Sequence, residues 1–161
     1  MSAASNATAI HLNALGLCCA LGRRADEVAA RVFGDVPASG VAPTSAFLGR
    51  EFWTGQVPGE LPALSDRPLA LRGRNNALLR LALDDLGEAL PSAVEGVAPS
   101  RVAIVLGSST SGIAETERAF RGRDAAGALP GDFHYAMQEM GTPARFVAHE
   151  LGLSAAARAV I

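Results

Sequence analysis

Six residues constrain this chain more than any others. Residues 101–106, RVAIVL, are almost wholly apolar, follow Pro99 and stop at Gly107. A run this short, bounded by proline and glycine, predicts a strand buried on both faces. The next six residues, GSSTSG, predict a turn, and residues 113–120 predict the start of a helix. Strand, glycine turn and helix in series are the repeating unit of an α/β fold.

The rest of the chain alternates in the same way. Residues 9–17 (AIHLNALGL) predict a short strand. Residues 24–33 predict a helix, with Val28, Ala29 and Val32 at apolar spacings and Asp26 and Glu27 in the first turn, where acids suit the dipole. Residues 34–44 read as loop, 47–57 as carrying a short strand, and 58–68, with three prolines, as loop again. The longest predicted helix covers 75–90. It carries Leu79, Leu83, Leu86 and Leu90 on one face, has Leu78 and Ala82 beside them, and ends at Pro91. A polar loop at 121–132 leads to a helix at 142–151, with Thr142 as N-cap, Pro143 in the first helical position and Gly152 closing it. Residues 155–161 predict a new strand.

Composition excludes several classes of function. A hydrophobic share of 49% against 19% charged is enough for a core and is no signature of disorder. All 14 cationic side chains are arginines, and they are scattered, whereas a nucleic-acid footprint is clustered. No apolar run approaches the roughly 18–20 residues of a membrane span, and residues 1–8 lack the basic start of a signal peptide. Adjacent Cys18 and Cys19, without a disulfide framework, fit a reducing cytoplasm.

Local motifs offer little chemistry. GSSTSG is no Walker loop, and Ser109 stands where the dinucleotide fingerprint needs glycine. It reads as a tight βα turn, with an anion cradle as the alternative. A reactive thiol needs a cation or a helix N-terminus. Arg23 and Arg24 are near in sequence, but Cys18 and Cys19 end an apolar segment and read as buried structural residues. His11, His134 and His149 show no metal-ligand spacing, so neither a metal site nor a catalytic residue is assigned. Phe133, Tyr135, Met137 and Met140 form an apolar cluster that reads as core or interface.

Four stretches in order carry a resemblance: LNALGLCCALG with the helix RADEVAARVF, ALRGRNNALLRLALDDLGEAL, RVAIVLGSSTSGIAETERAF, and FHYAMQEMGTPARFVAHELGLS. Together they resemble the N-terminal half of β-ketoacyl-acyl carrier protein synthases, the thiolase-like condensing enzymes. The resemblance implies an α/β fold with a mixed sheet flanked by helices in α-β-α-β-α layers. It implies one domain over 1–161, incomplete at its C-terminal side. It implies decarboxylative Claisen condensation of acyl and malonyl thioesters for fatty-acid, polyketide or polyene synthesis. The resemblance also places Thr110, flanked by Ser109 and Ser111, at a gate to the acyl pocket. The implied partners are acyl carrier protein, which brings its own phosphopantetheine arm so that no other cofactor is needed, and a second subunit in a homodimer or heterodimer. Where the family shows Gly-Pro after the Leu-Ser corresponding to Leu153 and Ser154, this chain has Ala155 and Ala156. Its nucleophilic cysteine and catalytic histidines match no residue here, so the chain alone is expected to be inactive; without the second half of the fold, residues 101–106 and 157–161 would lack strand neighbours, and such open apolar edges are expected to make it poorly soluble. A non-catalytic half-fold partner of a complete synthase, or a small anion-binding α/β module, are the alternatives.

Overall fold

The computed structural model describes residues 9–37, 40–45, 49–153 and 158–160, the last three by backbone alone. In chain order the elements are α1 (Ala25–Phe33), β1 (Val41–Thr44), β2 (Phe52–Gly55), α2 (Arg74–Leu86), α3 (Ala89–Val94), β3 (Ala103–Val105), α4 (Ile113–Arg121), α5 (Thr142–Glu150) and β4 (Arg158–Val160). β1 and β2 pair antiparallel, with Thr44 opposite Phe52. β3 and β4 pair in parallel, with Ile104 opposite Ala159. Parallel strands need a crossover, and α4 and α5 lie within it. The alternating α/β class is the one the sequence predicts.

The core forms where α5 meets α2 and β3. Ala144, Phe146 and Val147 pack with Ala77 and Ile104, and Leu64 and Leu71 close the cluster from the loop before α2. Phe146 is completely buried, which contributes about 1.5–3 kcal/mol over an exposed ring. α5 ends in a pair of backbone bonds that close its last turn: Gly152 N–H donates to His149 O at 3.1 Å and Leu153 N–H to Ala148 O at 2.9 Å.

Several elements depart from the sequence pattern. Residues 9–17 form no strand, and Ile10 and Leu12 are 90% and 97% exposed. Apolar alternation makes a strand only where a ladder partner exists, and this segment has none among the described residues. The RVAIVL strand is shorter than expected and buried on one face: Ile104 points into the core, while Ala103 and Val105 are exposed. Helix α5 covers only the Ile104 side. β1 occupies part of the expected 34–44 loop, and Pro43 is tolerated because β1 pairs on one side alone, with β2, among the described residues.

The long helix is two helices. α2 stops at Gly87, whose φ of 52° and ψ of −133° suit glycine alone. Pro91 therefore does not end the first helix; it sits in the opening turn of α3, where a missing N–H leaves no broken bond. Thr142 is not the cap of α5 but its first residue, after Gly141, and Pro143 is the second. Parts of the expected 47–57 and 155–161 strands lie outside the described residues.

Candidate functional site: the Thr110 turn and its clefts

Strand β3 delivers residues 106–112 to a turn held from both sides. Ser108 Oγ donates to the Thr110 carbonyl at 2.6 Å, and Asn75 Nδ2, from the first turn of α2, donates to the same oxygen at 3.1 Å. Ser111 is buried, and its hydroxyl donates to Met137 O at 3.1 Å. Gly112 follows with φ 61° and caps α4. Thr116 Oγ1 donates back to Gly112 O at 2.7 Å. The turn is thus tied to the short 3-10 helix Tyr135–Gln138, in which Met137 is buried and Tyr135 exposed. The Phe133–Met140 cluster is therefore part core and part surface.

Thr110 itself is exposed and borders three clefts. The first, about 440 Å³, opens between residues 16–18, α2, residues 106–110 and Pro143 of α5. The second, about 290 Å³, runs past Thr116, Gln138 and Met140. The third, about 320 Å³, lies against Arg74 and Glu115. Of the three serines and threonines predicted at the gate, Thr110 alone faces all three openings. Ser111 holds the turn through Met137 while bordering the second cleft, and Ser109 is exposed outside all of them.

Residues 16–18, which the sequence pattern did not connect to this turn, lie across the first cleft from it. Leu17 N–H donates to Asp85 Oδ2 at 3.1 Å, and the same oxygen takes the Ala25 N–H at 2.8 Å, so one α2 carboxylate anchors both the segment and the start of α1. Cys18 and Cys19 are half-buried rather than buried. The Cys18 thiol donates to Leu78 O at 3.3 Å. Burial pushes its pKa up and Cys19 and Asp85 add to this, while Arg23 pulls the other way. A thiol held protonated is a poor nucleophile.

An anion cradle at the turn is disfavoured by charge. Glu115 sits in the first turn of α4 and accepts the Arg74 N–H at 2.6 Å, and Glu117 borders the same cleft. His11 and His134 are exposed, and His134 Nδ1 accepts the Ala136 N–H at 3.1 Å. No trio of metal-ligating side chains comes together among the described residues, and no helix among them is long and apolar enough to cross a membrane.

No protein-family model matches the chain, and no curated protein does. The solved structure of a ketosynthase in complex with its chain length factor, from Xenorhabdus doucetiae, matches 95% of this chain with a TM-score of 0.76 and 30% identity. The chain spans 39% of the length of that protein. The fold is therefore that of a thiolase-like ketosynthase over nearly all of the chain.

Proposed function

We propose that this chain is the acyl-handling part of a β-ketoacyl-acyl carrier protein synthase. Such enzymes hold an acyl group as a thioester on a cysteine, which splits a difficult condensation into two steps, and extend it with a decarboxylating malonyl thioester. The ketosynthase fold over nearly the whole chain carries this reading. The position of Thr110 at the junction of three clefts supports its role as the gate residue. Ser111 serves by fixing the turn, and Ser109 stands outside the clefts. Cys18 is not the acyl acceptor, because its thiol donates to Leu78 O and is pushed up by burial. The partners are an acyl carrier protein, which brings the phosphopantetheine arm, and a second synthase-like subunit in a dimer; the setting is cytoplasmic. The pathway is fatty-acid, polyketide or polyene synthesis.

The test uses the purified chain with octanoyl- and malonyl-carrier protein. Binding is read by calorimetry and any β-ketoacyl product by mass spectrometry. The chain binds octanoyl-carrier protein more tightly than the unacylated carrier and forms no product alone. Absence of carrier binding overturns the condensing-enzyme reading, and turnover by the chain alone overturns its assignment as a non-catalytic part.

A further inference from the structure

We propose that the outer edge of β2 is a self-association surface. There β2 pairs antiparallel with β2 of a second copy, Trp53 against Trp53, and two ribbons become one four-stranded sheet. The contact is separate from the clefts around Thr110, none of which is lined by a residue of β1 or β2. It does not rest on the condensing-enzyme reading.

The β1–β2 ribbon lacks a covered face. No residue of either strand is buried, and two strands without such a face are marginal in water. The two outer edges of the ribbon are not alike. Gln56 N–H donates to Gly40 O, directly opposite it, at 2.7 Å. Hydrogen-bonded pairs alternate along an antiparallel ladder, so Ala42 with Thr54 and Thr44 with Phe52 are the bonded pairs. Val41, Pro43, Trp53 and Gly55 therefore turn their backbone groups outward. On β1, Pro43 has no N–H and closes the edge. On β2, Trp53 and Gly55 keep donor and acceptor, and neither finds another backbone partner among the described residues. Residues 52–55 carry no charge and no proline, the usual guards of an edge.

The side chains fit a two-fold copy of the same strand. Trp53 is 72% exposed, and Gly55, the next position on the same face, has no side chain. With Trp53 opposite Trp53, each indole meets the other and lies diagonally beside Gly55 of the other copy, which leaves it room. Backbone bonds then form at Trp53 and between Glu51 of each copy and Gly55 of the other. No like charges meet: Glu51 faces Gly55, and Arg50, held over the Phe52 ring at 5.1 Å, faces Gln56. The contact closes on itself, because Pro43 then stands at both outer edges of the joined sheet. It is also small. Two tryptophans bury roughly 300–500 Å². That is under the ~1,000 Å² of a tight interface, so a dissociation constant of about 0.1–1 mM is expected.

Trp53 is the one tryptophan of the chain, so its emission reports the contact. Between about 1 µM and about 2 mM chain the emission moves to shorter wavelength. The shift persists in an Ile10→Asp, Leu12→Asp chain, which removes two other exposed apolar side chains. Trp53→Pro repeats on β2 what Pro43 does on β1: it removes an outward N–H and breaks no ladder bond. By sedimentation in the same background it weakens pairing more than ten-fold, whereas Trp53→Phe stays within a few-fold. A cross-link fixes the register. In chains carrying Cys18→Ser and Cys19→Ser, Phe52→Cys is mixed with Thr54→Cys and oxidised by glutathione disulfide. Positions 52 and 54 of the two copies stand opposite at ~4.5 Å between Cα atoms, within disulfide reach. The mixture cross-links and neither variant does so alone. Constant emission, pairing unaltered by Trp53→Pro, an unlinked mixture, or cross-linking of like chains overturns the proposal. Carrier-protein binding with constant emission removes the contact and leaves the condensing-enzyme reading standing; the emission shift and cross-link without carrier binding do the reverse.

Discussion

At the scale of single residues, Gly112 decides whether the turn exists. Its backbone is left-handed, with φ 61°. A Cβ there would stand 2.6 Å from the Met137 carbonyl carbon and 2.9 Å from Gln138 Cα, and closer still to the Met137 oxygen. These are backbone atoms, which cannot swing aside. Gly112→Ala therefore combines left-handed strain with a steric overlap and lowers stability by about 3 kcal/mol. Gly127→Ala is the control: φ is 83° but no atom lies within 4 Å, so only strain of ~1–2 kcal/mol remains. Urea midpoints of the two variants measure the difference, and equal midpoints would remove the crossing at Met137 as a structural contact. The sequence shows that GSSTSG is a turn, but not which glycine is crossed by another backbone. Ser111 was equally opaque, because its partner Met137 lies 26 residues away. The place of Thr110 beside three clefts had no signal either, since nothing in its own residue type sets it apart from its neighbours.

At the scale of elements, helices were more legible than strands. α1, α4 and α5 fall where period and local signals put them, because a helix makes its backbone bonds within itself. A strand needs a partner, and residues 9–17 show what the same apolar pattern does without one. Ion pairing between elements was invisible in the sequence for the same reason. Glu150, in the last turn of α5, has a side chain only 4% exposed. Arg67 donates to it at 2.5 and 3.0 Å, and Arg80 of α2 also reaches it while pairing with Asp84 at 2.6 Å. The Arg67 hydrogen bonds hold the Glu150 carboxyl down at about 2 against its burial, with Arg80 assisting. A folded-state pKa below the unfolded 4.5 stabilises the fold above pH 4.5, and the contribution fades as pH falls toward 2. The shift corresponds to an upper value of about 3 kcal/mol. Glu150→Gln should be destabilised at neutral pH and should lose less further stability over that acid window than the unsubstituted chain. Parallel stability–pH curves for the two proteins would show that the Arg67–Glu150–Arg80 cluster does not link α5 to α2.

At the scale of the whole molecule, surface and core are out of proportion. The accessible surface is 11064 Å², whereas a compact monomer of this size shows roughly 7,500 Å². Part of the excess is apolar and large: Ile10, Leu12, Phe33, Trp53, Val105 and Tyr135 are each 69% exposed or more. These side chains lie in different elements, so a single local rearrangement does not hide them all. Both sheets have two strands, and each therefore offers unpaired edges among the described residues. Open edges beside apolar side chains favour association between chains. The purified chain should therefore sediment faster as its concentration rises. Ile10→Asp combined with Leu12→Asp should weaken that dependence without lowering stability, because neither side chain touches the core. A sharp monomer boundary at every concentration would mean that this surface is tolerated in water. The same result with the double variant as with the unsubstituted chain would place the association on the other exposed apolar side chains, Phe33, Trp53, Val105 and Tyr135, or on the open sheet edges.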